Sequence, residues 1–291
     1  MTDVAAPSAV RDLLEKYSFR CRKSMGQNFL VDANIVNKIV SSASLDKDDV
    51  VVEIGPGLGV ITRAAATMAK KVISVELDRN LLPILEETLQ GTGNVSIVPG
   101  DAMEVDLDDI VKTHAGHSGR YKLIANLPYY ITTPLIMRLL RSGFNISSLV
   151  IMMQLEVAER IAALPGGKDY GALTVAVQYY TEVRYLFRVP NTVFIPRPDV
   201  DSAVVRLDKR SRPAVETPDE DLFFKTVRGS FGQRRKTLLN ALGSAFPHIA
   251  RDGLKALLEK AGIDPSRRGE TLDIEEFAAV TRELHGCMGH S

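Results

Sequence analysis

Short apolar runs alternate with amphipathic stretches along the first 164 residues. Residues 50–54 form a β-branched run that ends at glycines, which is typical of a strand buried on both faces of a sheet. We predict further strands at 71–77, 94–98, 122–125 and 148–153, and helices at 32–40, 58–69, 78–89, 133–141 and 155–164. Strands that alternate with helices indicate an α/β fold, a mainly parallel sheet with helices on both faces.

The pattern changes in the second half of the chain. Residues 173–180 and 200–207 favour strands, and a partner strand is expected near 185–189. Two prolines in residues 211–218 predict a linker, and only helical patterns follow it, at 219–230, 234–243, 251–261 and 273–284. We therefore predict a first domain over residues 1–212, with an N-terminal extension of residues 1–23, and a small all-α domain over residues 213–291.

Composition adds limits on location and class. A hydrophobic content of 45% can fill a core and excludes disorder as the dominant state. No apolar run approaches the ~20 residues that cross a membrane as a helix, so no membrane partner is expected. The only cysteines, Cys21 and Cys287, are too few for a disulfide framework, and the N-terminus lacks the apolar core of a signal peptide. These features favour a reducing, cytoplasmic location.

The formal net charge is zero, with 36 Lys+Arg against 36 Asp+Glu, but the charges are unevenly distributed. Residues 46–109 contain 13 acidic and 5 basic residues, a local charge of −8. Residues 222–255 contain 7 basic residues and 1 acidic residue, a local charge of +6. Because electrostatic fields act locally, the zero sum does not exclude a nucleic-acid partner.

A glycine loop follows the first buried strand, with Gly55, Gly57 and Gly59 spaced G-x-G-x-G. A dinucleotide fingerprint needs G-x-G-x-x-G, and its third glycine position is Val60 here, which disfavours a pyrophosphate site. Alone, the loop is also compatible with a tight strand–helix turn that binds no ligand. Glu76 lies at the end of the second predicted strand, and Asp101 and Asn126 follow the third and fourth, where ligands of open α/β sheets bind. This pattern resembles S-adenosylmethionine-dependent methyltransferases of the Rossmann-like class I.

The tetrapeptide Asn126-Leu127-Pro128-Tyr129 predicts the reacting site, although Asn and Pro also make ordinary turns. An adenine amino group is a poor nucleophile, and hydrogen bonds from its N–H groups to the Asn126 oxygen and a backbone carbonyl would localise its lone pair. Pro128 would keep the loop rigid, and Tyr129 offers a ring for stacking of an extruded base. Phe194, in Phe-Ile-Pro-Arg-Pro, can stack on the other side of the base, or be a core residue.

With Gly-Gln-Asn-Phe-Leu at 26–30, these motifs make the chain similar to the ribosomal RNA adenine dimethyltransferases, over about residues 18–284. Within that family the C-terminal part resembles the bacterial small-subunit type. The resemblance implies methyl transfer from S-adenosylmethionine, without a metal, to N6 of two adjacent adenines near the 3′ end of small-subunit RNA in an assembling 30S particle. We expect a monomer. The family's cofactor contacts correspond to Asn28, Leu30, Gly55, Gly57, Glu76, Asp101 and Asn126.

Basic residues in the C-terminal part are the predicted RNA contacts, at Arg228, Arg234, Arg235 and Lys236, although such runs are often only solvated helix faces. Four other functions stay open at this point. They are a large-subunit RNA adenine methyltransferase, a DNA adenine methyltransferase, a non-enzymatic assembly or transcription factor on the same fold, and, least favoured because of Val60, an NAD oxidoreductase.

Overall fold

The computed structural model describes residues 6–22, 25–233 and 235–288. Its strands form two sheets. The strands are β1 (Phe29–Leu30), β2 (Val50–Ile54), β3 (Lys71–Glu76), β4 (Val95–Pro99), β5 (Tyr121–Asn126), β6 (Ile146–Gln154), β7 (Thr181–Val189), β8 (Phe194–Ile195) and β9 (Ser202–Lys209). Seven of them form one sheet in the order β4-β3-β2-β5-β6-β9-β7, and β1 pairs with β8 separately.

Helices lie between and after the strands. They are α1 (Pro7–Lys16), α2 (Ala33–Ser42), α3 (Val60–Ala66), α4 (Leu82–Thr88), α5 (Leu107–Ala115), α6 (Thr132–Arg141), α7 (Leu155–Ile161), α8 (Ala172–Tyr180), α9 (Glu220–Phe231), α10 (Leu238–Ala245), α11 (Arg251–Lys260) and α12 (Ile274–Met288). The sequence patterns did not predict α1 and α5, although Asp106 caps α5 by accepting a hydrogen bond from the Asp109 N–H.

The large sheet is parallel from β4 to β6, and β9 pairs antiparallel with β6. Every residue of β2 is buried, as expected for a central strand that is covered on both faces. On one face, α2 and α3 pack on the sheet through a cluster that includes Val36, Ile39 and Ile61. Asp32 begins α2, because its carboxylate accepts hydrogen bonds from the N–H groups of Asn34 and Ile35.

The chain divides into two compact units. The first unit comprises residues 1–158 and 183–209, and the second comprises residues 159–182 and 210–291. The first unit contains most of the large sheet and the paired strands β1 and β8. The predicted domain boundary near residue 212 stays a prediction, and residues 159–182, which the sequence analysis placed in the first domain, group with the C-terminal helices.

Residues 173–180 are helical in α8, so the strand predicted for them is wrong. The stretch is apolar and β-branched, and its residues 174–177 are all buried. A helix covered on all sides shows no alternation or helical stripe in its sequence, which is why hydrophobic patterning fails here. Within the second unit, Tyr179 packs against Phe223 and Phe224, with ring centroids 5.0 and 5.2 Å apart.

Candidate active site

A cleft in the first unit lies at the carboxyl ends of the parallel strands, where α/β sheets bind ligands. The structure brings together in its lining every cofactor and base-binding residue predicted from the sequence: Asn28, Leu30, Gly55, Gly57, Glu76, Asp101, Asn126, Leu127, Pro128, Tyr129 and Phe194. These residues come from segments as far apart in sequence as residues 28 and 194.

The glycine loop between β2 and α3 forms one wall of the cleft. Gly55, Gly57 and Gly59 all have positive φ angles, of 71°, 58° and 81°, which side chains disfavour. A Cβ atom on Gly57 would lie 3.2 Å from the Phe29 ring, and one on Gly59 would lie 3.2 Å from Leu85 and Leu89. The loop can therefore approach a ligand with its backbone, and α4 can pack directly beneath it.

Glu76 ends β3 beside this loop and is only 6% exposed. Its Oε1 atom accepts a hydrogen bond of 2.8 Å from the Asp78 N–H. Burial raises the pKa of Glu76 to about 7, although hydrogen bonds from the backbone of Asp78 and Gly57 favour the carboxylate. A buried carboxylate in a cleft binds hydroxyl donors well when it is ionised, because water competes little for it.

Asp101 follows β4 and also takes part in local structure. Its Oδ1 atom accepts a hydrogen bond of 2.7 Å from the Met103 N–H, and its carbonyl accepts one from the Glu104 N–H. The side chain therefore stabilises a turn. The turn fixes the carboxylate at the cleft, where Asp101 and Ala102 are part of the lining.

The N-terminal segment 25–30 also lines the cleft. Leu30 of β1 pairs with Phe194 of β8, so this segment is joined to a distant part of the chain. Gln27 donates a hydrogen bond of 2.8 Å from Nε2 to Asp78, and its Oε1 atom accepts one of 2.8 Å from the Arg22 N–H. Gln27 thereby ties this segment to the end of β3, a role that sequence reasoning did not predict.

The turn after β5 carries the Asn-Leu-Pro-Tyr motif. Asn126 pairs with Met152 in the sheet, and the Leu127 N–H donates a hydrogen bond of 3.2 Å to the Met152 carbonyl. The Pro128 carbonyl accepts hydrogen bonds from the Ile131 N–H and from the Thr132 hydroxyl, at 3.3 and 3.1 Å. The turn is held by bonds from both sides, and it presents Asn126 and Tyr129 to the cleft.

Comparison with known proteins decides the family. A model described as ribosomal RNA adenine dimethylase matches residues 18–280. The chain belongs to the ribosomal RNA adenine dimethylase family. It is 55% identical over 285 residues to the ribosomal RNA small subunit methyltransferase A of Pelotomaculum thermopropionicum, covering 96% of this chain and 97% of that protein. It is 54% identical over 288 residues to the protein of the same name from Moorella thermoacetica, covering 98% and 99%.

Solved structures agree with this membership in the dimethylase family. A dimethyladenosine transferase from Plasmodium falciparum superimposes with a TM-score of 0.77 at 25% identity, over 89% of this chain and 98% of that one. The 23S rRNA methyltransferase ErmE superimposes with a TM-score of 0.68 at 27% identity, over 89% and 100%. The methyltransferase fold class and the enzyme class predicted from the sequence are confirmed.

Two side chains that sequence reasoning missed lie close to the family motifs. Glu53 of β2 is 2% exposed and accepts hydrogen bonds from the hydroxyls of Thr62 and Ser74. Ser202 of β9 is 1% exposed and shares a hydrogen bond of 2.9 Å with the Tyr129 phenol. The sequence offered two signals for them, a charged residue within an apolar strand and a serine shortly after the Phe-Ile-Pro-Arg-Pro segment.

The predicted RNA contacts lie in the second unit, apart from the cleft residues in sequence. Arg228 is exposed near the end of α9, and Arg235 and Lys236 are exposed between α9 and α10. Arg234 lies outside the described residues. In the part of the chain that the structure describes, no helix is long and apolar enough to cross a membrane, and no group of three or more His, Cys, Asp or Glu is placed to hold a metal ion.

Proposed function

We propose that this chain transfers methyl groups from S-adenosylmethionine to the N6 amino groups of two adjacent adenines near the 3′ end of small-subunit ribosomal RNA, within an assembling 30S particle. The observation that carries the proposal is the single cleft that joins the glycine loop, Glu76 and the Asn126–Tyr129 turn. The relatives named as small-subunit methyltransferases, at 54% and 55% identity over almost the whole chain, support the choice of RNA.

The residues present fit the proposed cofactor. Gly55 and Gly57 line the cleft with backbone and carry no side chain, and the buried Glu76 carboxylate can accept hydrogen bonds from two ribose hydroxyls. Asp101 can accept one from an adenine amino group, while Asn28, Leu30 and Asn126 complete the proposed contacts. When bound, S-adenosylmethionine supplies an electrophilic methyl group on a sulfonium, so the proposed reaction uses no metal.

The turn after β5 would hold the target base. The Asn126 side-chain oxygen and a nearby backbone carbonyl accept the N6 hydrogens and localise the nitrogen lone pair. Leu127 and Pro128 keep the turn rigid, which gives the orientation that transfer requires. Tyr129 supplies a ring face for stacking. Phe194 is 4% exposed, so only a small part of its ring is available to the other side of the base.

RNA would be bound through its phosphates by Arg228, Arg234, Arg235 and Lys236. The reaction on small-subunit particles implies a cytoplasmic enzyme, and we propose that it works as a monomer. Light scattering of the purified chain would test the oligomeric state.

The test is mass spectrometry of small-subunit RNA from particles that lack the modification, after incubation with the protein and a methyl-labelled donor. We expect labelled dimethyladenosine at two adjacent positions near the 3′ end. Asn126→Ala should reduce the rate by about a hundredfold, because it removes an acceptor that positions the nucleophile. Label found only in large-subunit RNA, or only in DNA, would refute the proposal and favour a related methyltransferase. No transfer with intact cofactor binding would favour a non-enzymatic role.

A further inference from the structure

The Tyr129 ring is attached to the protein at both ends. Its backbone belongs to the Pro128 turn, and its phenol oxygen lies 2.9 Å from Ser202 Oγ, within hydrogen-bond distance. The neighbouring Tyr130 lies in the same turn but is 55% exposed. The two tyrosines thus differ in environment, and the ring proposed to stack on the base is the one that has a fixed partner.

Ser202 is itself held firmly in place. It begins β9, which is antiparallel to β6, so the start of β9 lies at the same edge of the sheet as the ends of β5 and β6. Ser202 pairs with Gln154, and the Leu155 N–H donates a hydrogen bond of 3.0 Å to the carbonyl of Asp201, one residue earlier. Because its backbone is part of the sheet and its side chain is buried, its hydroxyl cannot follow the tyrosine if the ring moves.

We propose that Ser202 is a positioning residue, which holds the Tyr129 side chain in the position where its ring stacks on the target adenine. The inference rests on the proposed transfer to adenine. A tyrosine fixed only at its backbone would populate several side-chain rotamers in a half-open cleft, and each encounter with a base would have to select one. With the phenol anchored, the ring is already in place when the base arrives, and the N6 nitrogen is aligned with the methyl donor more often.

This role predicts which kinetic constant changes. Affinity for the particle comes mainly from contacts with RNA phosphates, which lie on other residues. Loss of the Tyr129–Ser202 hydrogen bond should therefore leave KM for the particle within about twofold, and should lower the single-turnover rate by about five- to tenfold, the effect of about one hydrogen bond. If the bond served only folding, its loss would lower the unfolding temperature and leave this rate unchanged.

The experiment is a double-mutant cycle with Tyr129→Phe, Ser202→Ala and the double variant, assayed on under-methylated small-subunit particles. We expect each single variant to lose about five- to tenfold in the single-turnover rate and the double variant to lose no more than either, because all three lack the same bond. Ser202→Thr keeps a hydroxyl and should recover most of the rate. Affinity for S-adenosylmethionine, measured by calorimetry, should stay within about twofold in all of them.

Two matched controls remove comparable hydrogen bonds at the other edge of the sheet. Tyr121→Phe removes the phenol bond of 2.8 Å to Asp108 at the start of β5, and Ser147→Ala removes the hydroxyl bond of 3.0 Å to the Tyr121 carbonyl. Both should keep the wild-type rate. If Tyr129→Phe also keeps it, or if the losses in the double variant multiply, the inference is wrong. If the wild-type protein does not methylate adenine at all, the proposed function fails instead.

Should Ser202→Ala or Ser202→Thr fold poorly, Tyr129→Phe still decides the matter. It removes a single oxygen atom and leaves β9 intact. A wild-type rate in this variant would overturn the inference, and a reduced rate with unchanged cofactor affinity would support it.

Discussion

At the scale of single residues, the buried Glu76 carboxylate makes cofactor binding sensitive to pH. Its pKa is raised to about 7 by burial, so a substantial fraction carries a proton near neutral pH. Ribose hydroxyls donate to the ionised form, and cofactor binding therefore competes with protonation.

We predict that affinity for S-adenosylmethionine rises as the pH rises through about 7 and levels off above it. Between pH 8 and pH 6 the Kd should increase by about tenfold, as expected for one titrating group. Calorimetric titration over this range measures the dependence. Glu76→Gln should bind more weakly and with little change over the same pH range. A wild-type Kd that does not change, or an equal slope in Glu76→Gln, would contradict the assignment.

The buried Glu53 carboxyl group makes the stability of the fold, and not cofactor binding, depend on pH. Burial raises its pKa to about 7, whereas hydrogen bonds from Thr62 and Ser74 oppose the shift. The native state therefore retains a proton that the unfolded chain releases near its ordinary pKa of 4.5. The group contributes fully to stability below that value, and the contribution is lost as the pH rises to about 7.

Glu53→Gln should remove this loss. We expect the free energy of unfolding of the variant minus that of the wild type to be about 2–3 kcal/mol larger at pH 8 than at pH 4.5, because only the wild type loses stability as the pH rises. Chemical denaturation of both proteins at the two pH values gives the comparison, in which the constant packing cost of the amide cancels. An equal difference at both pH values would show that folding does not shift the pKa of Glu53.

The sequence predicted the site residues at the ends of strands but not the buried residues that support them. Glu76, Asp101 and Asn126 lie at or just after the ends of predicted strands, and one rule about strand ends indicated all three. Glu53 and Ser202 lie within strands, and their partners are 9 and 73 positions away in sequence. Which hydroxyl reaches which side chain depends on register and packing, which no periodic pattern contains.

At the scale of elements, the turn into α3 depends on a glycine for two reasons. Gly59 has a φ of 81°, and a Cβ atom there would lie 3.2 Å from both Leu85 and Leu89. Gly91 has a similar φ of 83°, but a Cβ atom there would meet nothing within 4 Å. Substitutions at Gly59 and Gly91 therefore share the backbone strain, and only the one at Gly59 also disturbs packing.

We predict that Gly59→Ala lowers the free energy of unfolding by about 1–3 kcal/mol more than Gly91→Ala does, because only the first also crowds the packing of α4. Urea denaturation of the two variants measures the difference. Equal losses would mean that strain in φ alone accounts for the glycine, and that the leucines move aside freely.

Helix α8 shows where patterning of elements stops being informative. Amphipathic helices such as α2 are predicted correctly, because one face is apolar and a cap residue marks the start. In α8, four consecutive residues are buried, and the Gly171 N–H is satisfied by the Thr174 hydroxyl at 3.0 Å. Burial in a tertiary setting overrides the β-branched composition, and the sequence holds no sign of it.

At the scale of the whole molecule, charge is divided between segments, and the division bears on RNA binding. Arg235 and Lys236 are exposed between α9 and α10, whereas Lys255 and Lys260 on α11 form ion pairs with Glu259 and Glu283. Cations already paired with carboxylates gain less from phosphates.

We predict that replacing Arg235 and Lys236 together with alanine weakens binding to small-subunit particles and makes log K less dependent on log salt, by about 1–2 in slope. Affinity for S-adenosylmethionine should not change. The matched variant with alanine at Lys255 and Lys260 should bind nearly as wild type does. Filter binding at several salt concentrations would measure this, and equal weakening by both pairs would argue against a specific phosphate contact.

The pairing of β1 with β8 also affects the order in which parts of the chain can fold during synthesis. It joins residues 29–30 to residues 194–195, so the cleft includes segments from near the two ends of its unit. During synthesis, β2 to β6 can pair as they leave the ribosome, but the segment that carries Asn28 has no partner strand until about two thirds of the chain has been made. The nascent chain can therefore form the parallel part of its sheet first and its cofactor cleft late, when a ligand can no longer guide the early steps of folding.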